Sequence, residues 1–256
     1  VQSFTFSIVT VSLNNSATLV QTIESVLNQS FTNFEYLVLD GGSTDGTIEI
    51  LKSYESRLKW ISERDHGIYN AMNKGWQMAQ GEYVAYLNAD DFYNHNEVLL
   101  KMATLLKNDP MAFAGYGDLA YVDAKQPEKI IRYWKTGMYS ATSFLMGWMP
   151  PHPTFFLKKV AFEKFGGFRE ETLKSAADYE LILRMLYKNN LKAVYCEDLL
   201  VRMRVGGESN KNIENRIRGN KEDRLAWELN QLKPFWFTLW LKPFRKIFQF
   251  IQRPSK

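Results

Sequence analysis

The chain has little sulfur or imidazole to offer. Of its 256 residues one is cysteine, Cys196, and three are histidine. A disulfide framework needs cysteines in pairs and a thiolate zinc cluster needs several, so both are excluded. A His-rich metal site is excluded on similar grounds. Any metal would be held mostly by oxygen, which means Mg²⁺, Mn²⁺ or Ca²⁺. One cysteine suits a reducing, cytoplasmic setting. No run approaches the roughly 18 uncharged apolar residues that a spanning helix requires. The opening "VQSFTFSIVTVS" lacks the basic n-region and long apolar core of a secretory leader. There is no internal repeat and no low-complexity linker.

What the chain does have is material for a core. Hydrophobic residues make up 45% and aromatics 14%, which excludes disorder and fits one large domain with or without an appendage. Charge is unevenly spread. Residues 1–100 carry 5 Lys/Arg against 12 Asp/Glu, whereas residues 201–256 carry 13 against 5. An acidic front half suits a bound cation, and a basic tail suits an anionic surface. No nucleic-acid partner is expected.

The front half alternates strand and helix. "FSIVTVSLNN" (6–15), "FEYLVLD" (34–40), "LKWISE" (58–63) and "YVAYL" (83–87) read as strands. Between them, Leu19, Val20, Ile23, Val26 and Leu27 recur at helical spacing, a second helix starts near Thr47, and "GIYNAMNKGWQMAQG" (67–81) forms a third. Units of this length predict a Rossmann-like, mostly parallel central sheet with helices on both faces. Further on, a helix is expected over 96–108, strands over 111–123 and 129–134, turns over 135–159, a helix over 175–189 and a strand over 191–198. The composition changes near residue 232, which divides the chain into a domain (1–232) and a basic tail (233–256).

The first strand ends at Asn14 and Asn15, the second at Asp40, the third at Glu63 and Asp65, and the fourth at Asp90 and Asp91. Polar residues end strands for ordinary reasons, because Asp and Asn favour turns. Carboxylates at three of four carboxyl ends point further, to a ligand site at the edge where open α/β sheets bind. "DGGSTDGT" lacks the glycine pattern of a dinucleotide loop and the G-K-[ST] of a triphosphate loop. Asp40 can cap its own turn or accept from the ring N–H of a pyrimidine base. Asp90 and Asp91 have diverging side chains, so one can reach a ribose hydroxyl while the other binds a divalent cation. Lys74 is either a surface lysine or a point charge for phosphate.

Together, "IVTVSLNN", "VLDGGSTDGT", "SERDHGIYNAMNKG", "GEYVAYLNADD", "PPHPTFF" and "AADYELILR" resemble a family-two glycosyltransferase of the GT-A fold, in the family's order over about residues 5–205. The resemblance implies an inverting transfer from a nucleotide-sugar donor, with Mg²⁺ or Mn²⁺. It places Val11 and Leu13 along the base pocket, Asp40 on the base, Asp90 on the ribose and Asp91 on the metal. Asn88 replaces the first acidic residue of the family's D-x-D motif. Asp178 matches the position of the base that deprotonates the acceptor. The first turn of a helix favours a negative charge there, although Asp178 can equally serve as an N-cap. Glu180 lies two residues on, about 200° around the helix, and faces elsewhere.

His152, in "PPHPTFF", is a candidate third metal ligand or acceptor contact, with a structural role as the plain alternative. Asp65 is a weaker donor contact, and His66 and His95 belong to the surface. In the tail, Trp236, Trp240, Phe244, Phe248 and Ile251 fall near one helical face, with Lys242, Arg245 and Lys246 largely elsewhere. That pattern suits the inner membrane surface, where lipid-linked acceptors lie, or a helix packed on the domain. The expected activity is transfer from a nucleotide sugar, most simply a UDP-sugar, to a saccharide or lipid-linked saccharide acceptor in surface-polysaccharide synthesis. The rivals are a sugar nucleotidyltransferase, for which "SLNNSATL" lacks the basic Gly-rich loop, and an inactive sugar-nucleotide-binding scaffold.

Overall fold

The computed structural model describes residues 5–206 and 213–250. The first strand, β1 (Phe6–Ser12), is buried along its whole length. Strands covered on both faces read as continuous apolar runs, and this one sits between two parallel neighbours. Those are β2 (Phe34–Asp40) and β4 (Tyr83–Tyr86), with β3 (Lys59–Ser62) outside β2, also parallel. The intervening helices are α1 (Leu19–Leu27), α2 (Thr47–Ser53) and α3 (Ile68–Met78). The expected βα alternation therefore holds through residue 86.

Beyond β4 the sheet becomes mixed. Its order is β3-β2-β1-β4-β8-β6-β9-β5, with β7 paired to β6. The added strands are β5 (Phe92–Tyr93), β6 (Ala114–Val122), β7 (Ile130–Trp134), β8 (Phe156–Lys158) and β9 (Ala193–Arg204). β8 lies inside the stretch expected to be turns, and β9 runs six residues past the expected end at 198. β6 and β9 are parallel, whereas β8 runs antiparallel to both β4 and β6.

Side chains alternate across the sheet and feed two cores. Phe6 and Ile8 pack with Leu19, Ile23 and Val26 of α1 and with α4 (Val98–Asn108). Val9 and Val11 pack with Tyr69 and Met72 of α3, with α6 (Ala177–Ile182) and with Trp227 of α7 (Ile213–Leu229). Gly75 lets α3 approach β1, because a Cβ there would lie 2.5 Å from Val9 Cγ1. Helix α5 (Lys159–Phe165) follows β8, and a π-helical segment, Leu183–Lys188, continues α6.

The segment after residue 232 is attached to the domain. In α8 (Thr238–Phe248), Thr238 is buried and donates to the Leu145 carbonyl. Lys242 Nζ pairs with both carboxylate oxygens of Asp223, each at 2.7 Å. The Tyr133 N–H donates to the Gln249 carbonyl, so the chain folds back along β7. Trp236, Trp240 and Phe244 nevertheless stay exposed, at 85%, 67% and 57%. Packing and an exposed aromatic face therefore coexist. Ile251 and the side chains of Lys246 and Phe248 lie outside the described residues. Among those described, no helix is long and apolar enough to cross a membrane.

Candidate active site

The carboxyl edge of the parallel strands is built by register. Ser12, Asp40 and Ser62 stand side by side across β1, β2 and β3. Asp40 is 2% exposed, and both its oxygens are taken. They accept from the N–H groups of Gly42 and Ser43 and from the hydroxyls of Ser43 and Ser62. In this structure Asp40 is the cap of its turn. Beside it, a Cβ on Gly41 would lie 2.7 Å from Asp65 Oδ2 and 3.4 Å from Leu13 Cδ1. The absent side chain lets the Asp65 carboxylate and Leu13 lie close against the end of β2. Leu13 is 54% exposed there, whereas the Val11 side chain is part of the core. Asp65 accepts from the Gly67 N–H at 2.9 Å. Lys74 pairs with Glu63 at 2.5 Å, so its charge is already engaged.

The turn after β4 is fixed from α1. Thr18 and Thr22 donate to the Ala89 carbonyl, and Thr22 also reaches the Asp91 carbonyl. Asp90 is partly exposed and Asp91 buried, at 1%. Burial first, and the neighbouring charge of Asp90 second, push the Asp91 carboxyl well above its ordinary range. Arg204, at the end of β9, lies against this pair. It donates to the Asp90 carbonyl and to Gln21, and its charge opposes both carboxylates. The Phe92–Arg202 pairing of β5 with β9 brings it there.

Asp91 Oδ1 and Asn88 Oδ1 are buried and have no hydrogen-bond partner. Unpartnered buried oxygens are costly, and hard cations take carboxylate and amide oxygens, so this donor set fits Mg²⁺ or Mn²⁺. Among the described residues no three His, Cys, Asp or Glu side chains cluster as a metal site. The protein would therefore supply few ligands, the usual arrangement when substrate phosphates and water complete the shell.

Asn88, Tyr69, His152 and Asp178 line one cleft of about 830 Å³. Asp178 lies in the first turn of α6, where the N-cap is Ala176 and no side chain of the helix caps it. Glu222 of α7 instead holds the three residues that lead into it, and Asp178 faces the cleft. The Tyr69 hydroxyl donates to Asp178 Oδ1 at 3.1 Å. Glu180 points the other way and is fully buried, held by Arg184 and Arg169 at 2.9 and 3.2 Å. His152 stacks on Tyr86 and meets the edge of Phe168. Burial lowers its pKa, partly opposed by the charge of Asp178. His95 pairs with Asp198 at 3.0 Å on the outside.

Sequence reasoning missed Arg204, Glu222 and Tyr69. Arg204 had a visible signal, a cation closing an apolar strand. Tyr69 and Glu222 resemble ordinary helix residues, and only the fold brings them to Asp178.

The match to the Glycosyl transferase family 2 model covers residues 7–164. The chain belongs to that family. It is 33% identical over 118 residues to a PGL/p-HBAD biosynthesis glycosyltransferase of Mycobacterium bovis, an alignment covering 44% of this chain and 46% of the relative. With the chondroitin synthase of Escherichia coli it shares 29% over 175 residues, 67% of this chain and 25% of the relative. The chain thus spans half or less of these relatives' length. Among solved structures, S. aureus TarS 1–349 in complex with UDP-GlcNAc superposes with a TM-score of 0.67 at 20% identity, covering 89% of this chain and 65% of that one. The mannosyltransferase PcManGT of Pyrobaculum calidifontis, in complex with GDP-Man and Mn²⁺, gives 0.67 at 19%, covering 94% and 69%. The fold is GT-A.

Proposed function

We propose that the chain is an inverting, metal-dependent glycosyltransferase. It moves a hexosyl or N-acetylhexosaminyl group from a UDP-sugar to a saccharide or lipid-linked saccharide acceptor in cell-surface polysaccharide synthesis. The observation that carries this reading is the shared cleft. Asn88, whose buried Oδ1 has no partner, lines it together with Asp178, and Asp91, with an unpartnered Oδ1 of its own, lies beside Asn88.

In this mechanism the base lies against the exposed Leu13, beside Asp65. A base N–H that reaches Asp40 displaces Ser43 or Ser62 from its carboxylate. Asp90 holds the ribose. Asn88 and Asp91 would hold Mg²⁺ or Mn²⁺, which supplies counter-charge for the leaving diphosphate. Asp178 takes the proton of the acceptor hydroxyl as its oxygen attacks the anomeric carbon. The new C–O bond forms on one face as the bond to the diphosphate breaks on the other, and UDP leaves with the electron pair. Tyr69 fixes Oδ1 of Asp178, which keeps Oδ2 for the acceptor. His152, neutral through burial, borders the acceptor.

We further assign the exposed aromatic face of α8 to the inner surface of the cytoplasmic membrane. Tryptophan at a water–lipid boundary, next to cations, is the chemistry that supports it.

The test is calorimetric titration with UDP, GDP and their sugars, with and without Mn²⁺, on the wild type and on Asp91→Asn and Asp178→Asn. The expected result is Mn²⁺-dependent UDP binding that Asp91→Asn abolishes and Asp178→Asn retains, with turnover lost in both. Binding of neither nucleotide overturns the reading.

A further inference from the structure

The cleft is longer than the chemistry needs. Asp40, Leu13 and Asp65 do not line it, so the nucleotide end lies outside. Besides Asn88 and Asp178 it is lined by β7, the end of β9 and the chain after α7. That part of the lining is mostly apolar, with Ile131, Trp134, Met203, Pro243 and Phe250 on its surface.

Two cations stand in it, and they differ. Lys242 is neutralised by both oxygens of Asp223. Arg132 has no ion-pair partner among the described residues. Its guanidinium lies 3.7 Å from the centre of the Tyr121 ring, with the Phe250 ring at 5.8 Å. Tyr121 takes one hydrogen bond from the Arg132 side chain, and a guanidinium has five N–H donors, so the remaining ones can still offer the fork that matches two oxygens of an oxyanion. The Tyr121 ring beneath it also feels the charges of Asp91 and Asp178, which puts this platform within electrostatic reach of the reaction centre.

We propose that Arg132 anchors a phosphate group carried by the acceptor, and that the apolar surface around it holds the organic chain attached to that phosphate. This deepens the functional reading above and rests on it. A lipid phosphate is the source that fits best, because Pro243 and Phe250 belong to the segment whose outer face presents Trp236 and Trp240 to solvent. A phosphate-bearing soluble polymer offers the same anion without the chain.

The probes are hexyl phosphate, hexyl glucoside, hexanoate and glycerol 3-phosphate, titrated into the UDP- and Mn²⁺-loaded protein. Wild type is expected to bind hexyl phosphate at least about tenfold more tightly than the other three, the scale of one charge-assisted hydrogen-bond pair. Arg132→Gln should erase that preference and leave UDP affinity within about twofold, which also shows that the variant is folded. Glycerol 3-phosphate binding as tightly as hexyl phosphate would overturn the lipid assignment and point to a soluble phosphate polymer. Hexanoate binding as tightly would overturn the choice of phosphate. An unchanged preference in Arg132→Gln overturns the anchor, and so does a parallel loss of UDP affinity, which would place Arg132 on the donor. Failure of the wild type to bind UDP at all is a separate outcome and would strike the functional reading first.

Discussion

Glu222 holds the chain that leads into the helix carrying Asp178. Its Oε2 accepts from the backbone N–H groups of Lys174, Ser175 and Ala176 at 3.1, 2.7 and 3.0 Å. A carboxylate from α7 thus fixes the backbone that leads into the helix, up to its N-cap Ala176. Glu222→Ala leaves one buried and two part-buried donors without their partner, which should cost about 1–2 kcal/mol and lower Tm by about 3–6 °C. Activity should fall further than stability, through kcat, with the donor KM held. Glu222→Gln keeps an acceptor oxygen and should lie between. Steady-state kinetics on thermally characterised variants would check this.

Asp91 should be a liability to the metal-free protein. Its folded-state pKa is raised by burial and by Asp90, so the fold holds the proton more tightly than the unfolded chain does. Stability is therefore lost as pH rises from the unfolded value, near 3.8, through the folded one. The penalty grows across that interval and is complete above the folded value. Asp91→Asn should raise the Tm of the metal-free protein near pH 7, with the gain shrinking toward acid. The same variant should lose any stabilisation by Mn²⁺. Thermal unfolding with and without the ion, across pH, reads both effects.

For His152 the slope has the opposite sign. Burial lowers its folded pKa below 6.5, so the unfolded chain takes up a proton that the fold refuses. Stability falls as pH drops below about 6.5, by up to about 1.4 kcal/mol per pH unit from this group. His152→Phe should flatten that part of the profile. Denaturant titrations on either side of this pH compare the two slopes.

The exposed tryptophans at and just before α8 make a prediction that leaves the core alone. Trp236→Ser with Trp240→Ser removes two exposed rings and should change Tm by no more than about 2 °C. Co-sedimentation with vesicles containing an anionic phospholipid should fall about tenfold. In the wild type the same binding should weaken at high salt, because the cations near this face act through a screened field.

The parallel half of the fold was legible because its evidence is local. Each strand is a short apolar run, each helix a 3.6-residue pattern, and the carboxyl ends announce themselves with Asp40, Asp65 and the Asp90–Asp91 pair. The opposite orientations of Asp178 and Glu180 followed from helical geometry alone, and the structure bears them out. The second half resisted for a physical reason. β5 and β8 have two and three residues, too few to show alternation, and exist because distant partners complete them. Arg204 meets the Asp90 carbonyl across 114 residues of chain, a contact no window can contain. Asp40 shows the limit of residue type as evidence. A carboxylate at a strand end suits a ligand and a turn equally, and here four internal donors surround it.

The short strand β4 has a consequence for the newborn chain. One edge pairs with β1 as soon as both strands exist, but the other waits for β8. The two strands are separated by about 70 residues. At ordinary ribosomal speeds that interval is roughly 4–14 s. Throughout it, Tyr83–Tyr86 presents unpaired N–H and C=O groups on an uncharged apolar segment, a template for pairing with another chain. Synthesis that stalls between these strands should therefore yield aggregates, and chaperones that shield nascent chains should matter most while residues 90–155 are being made.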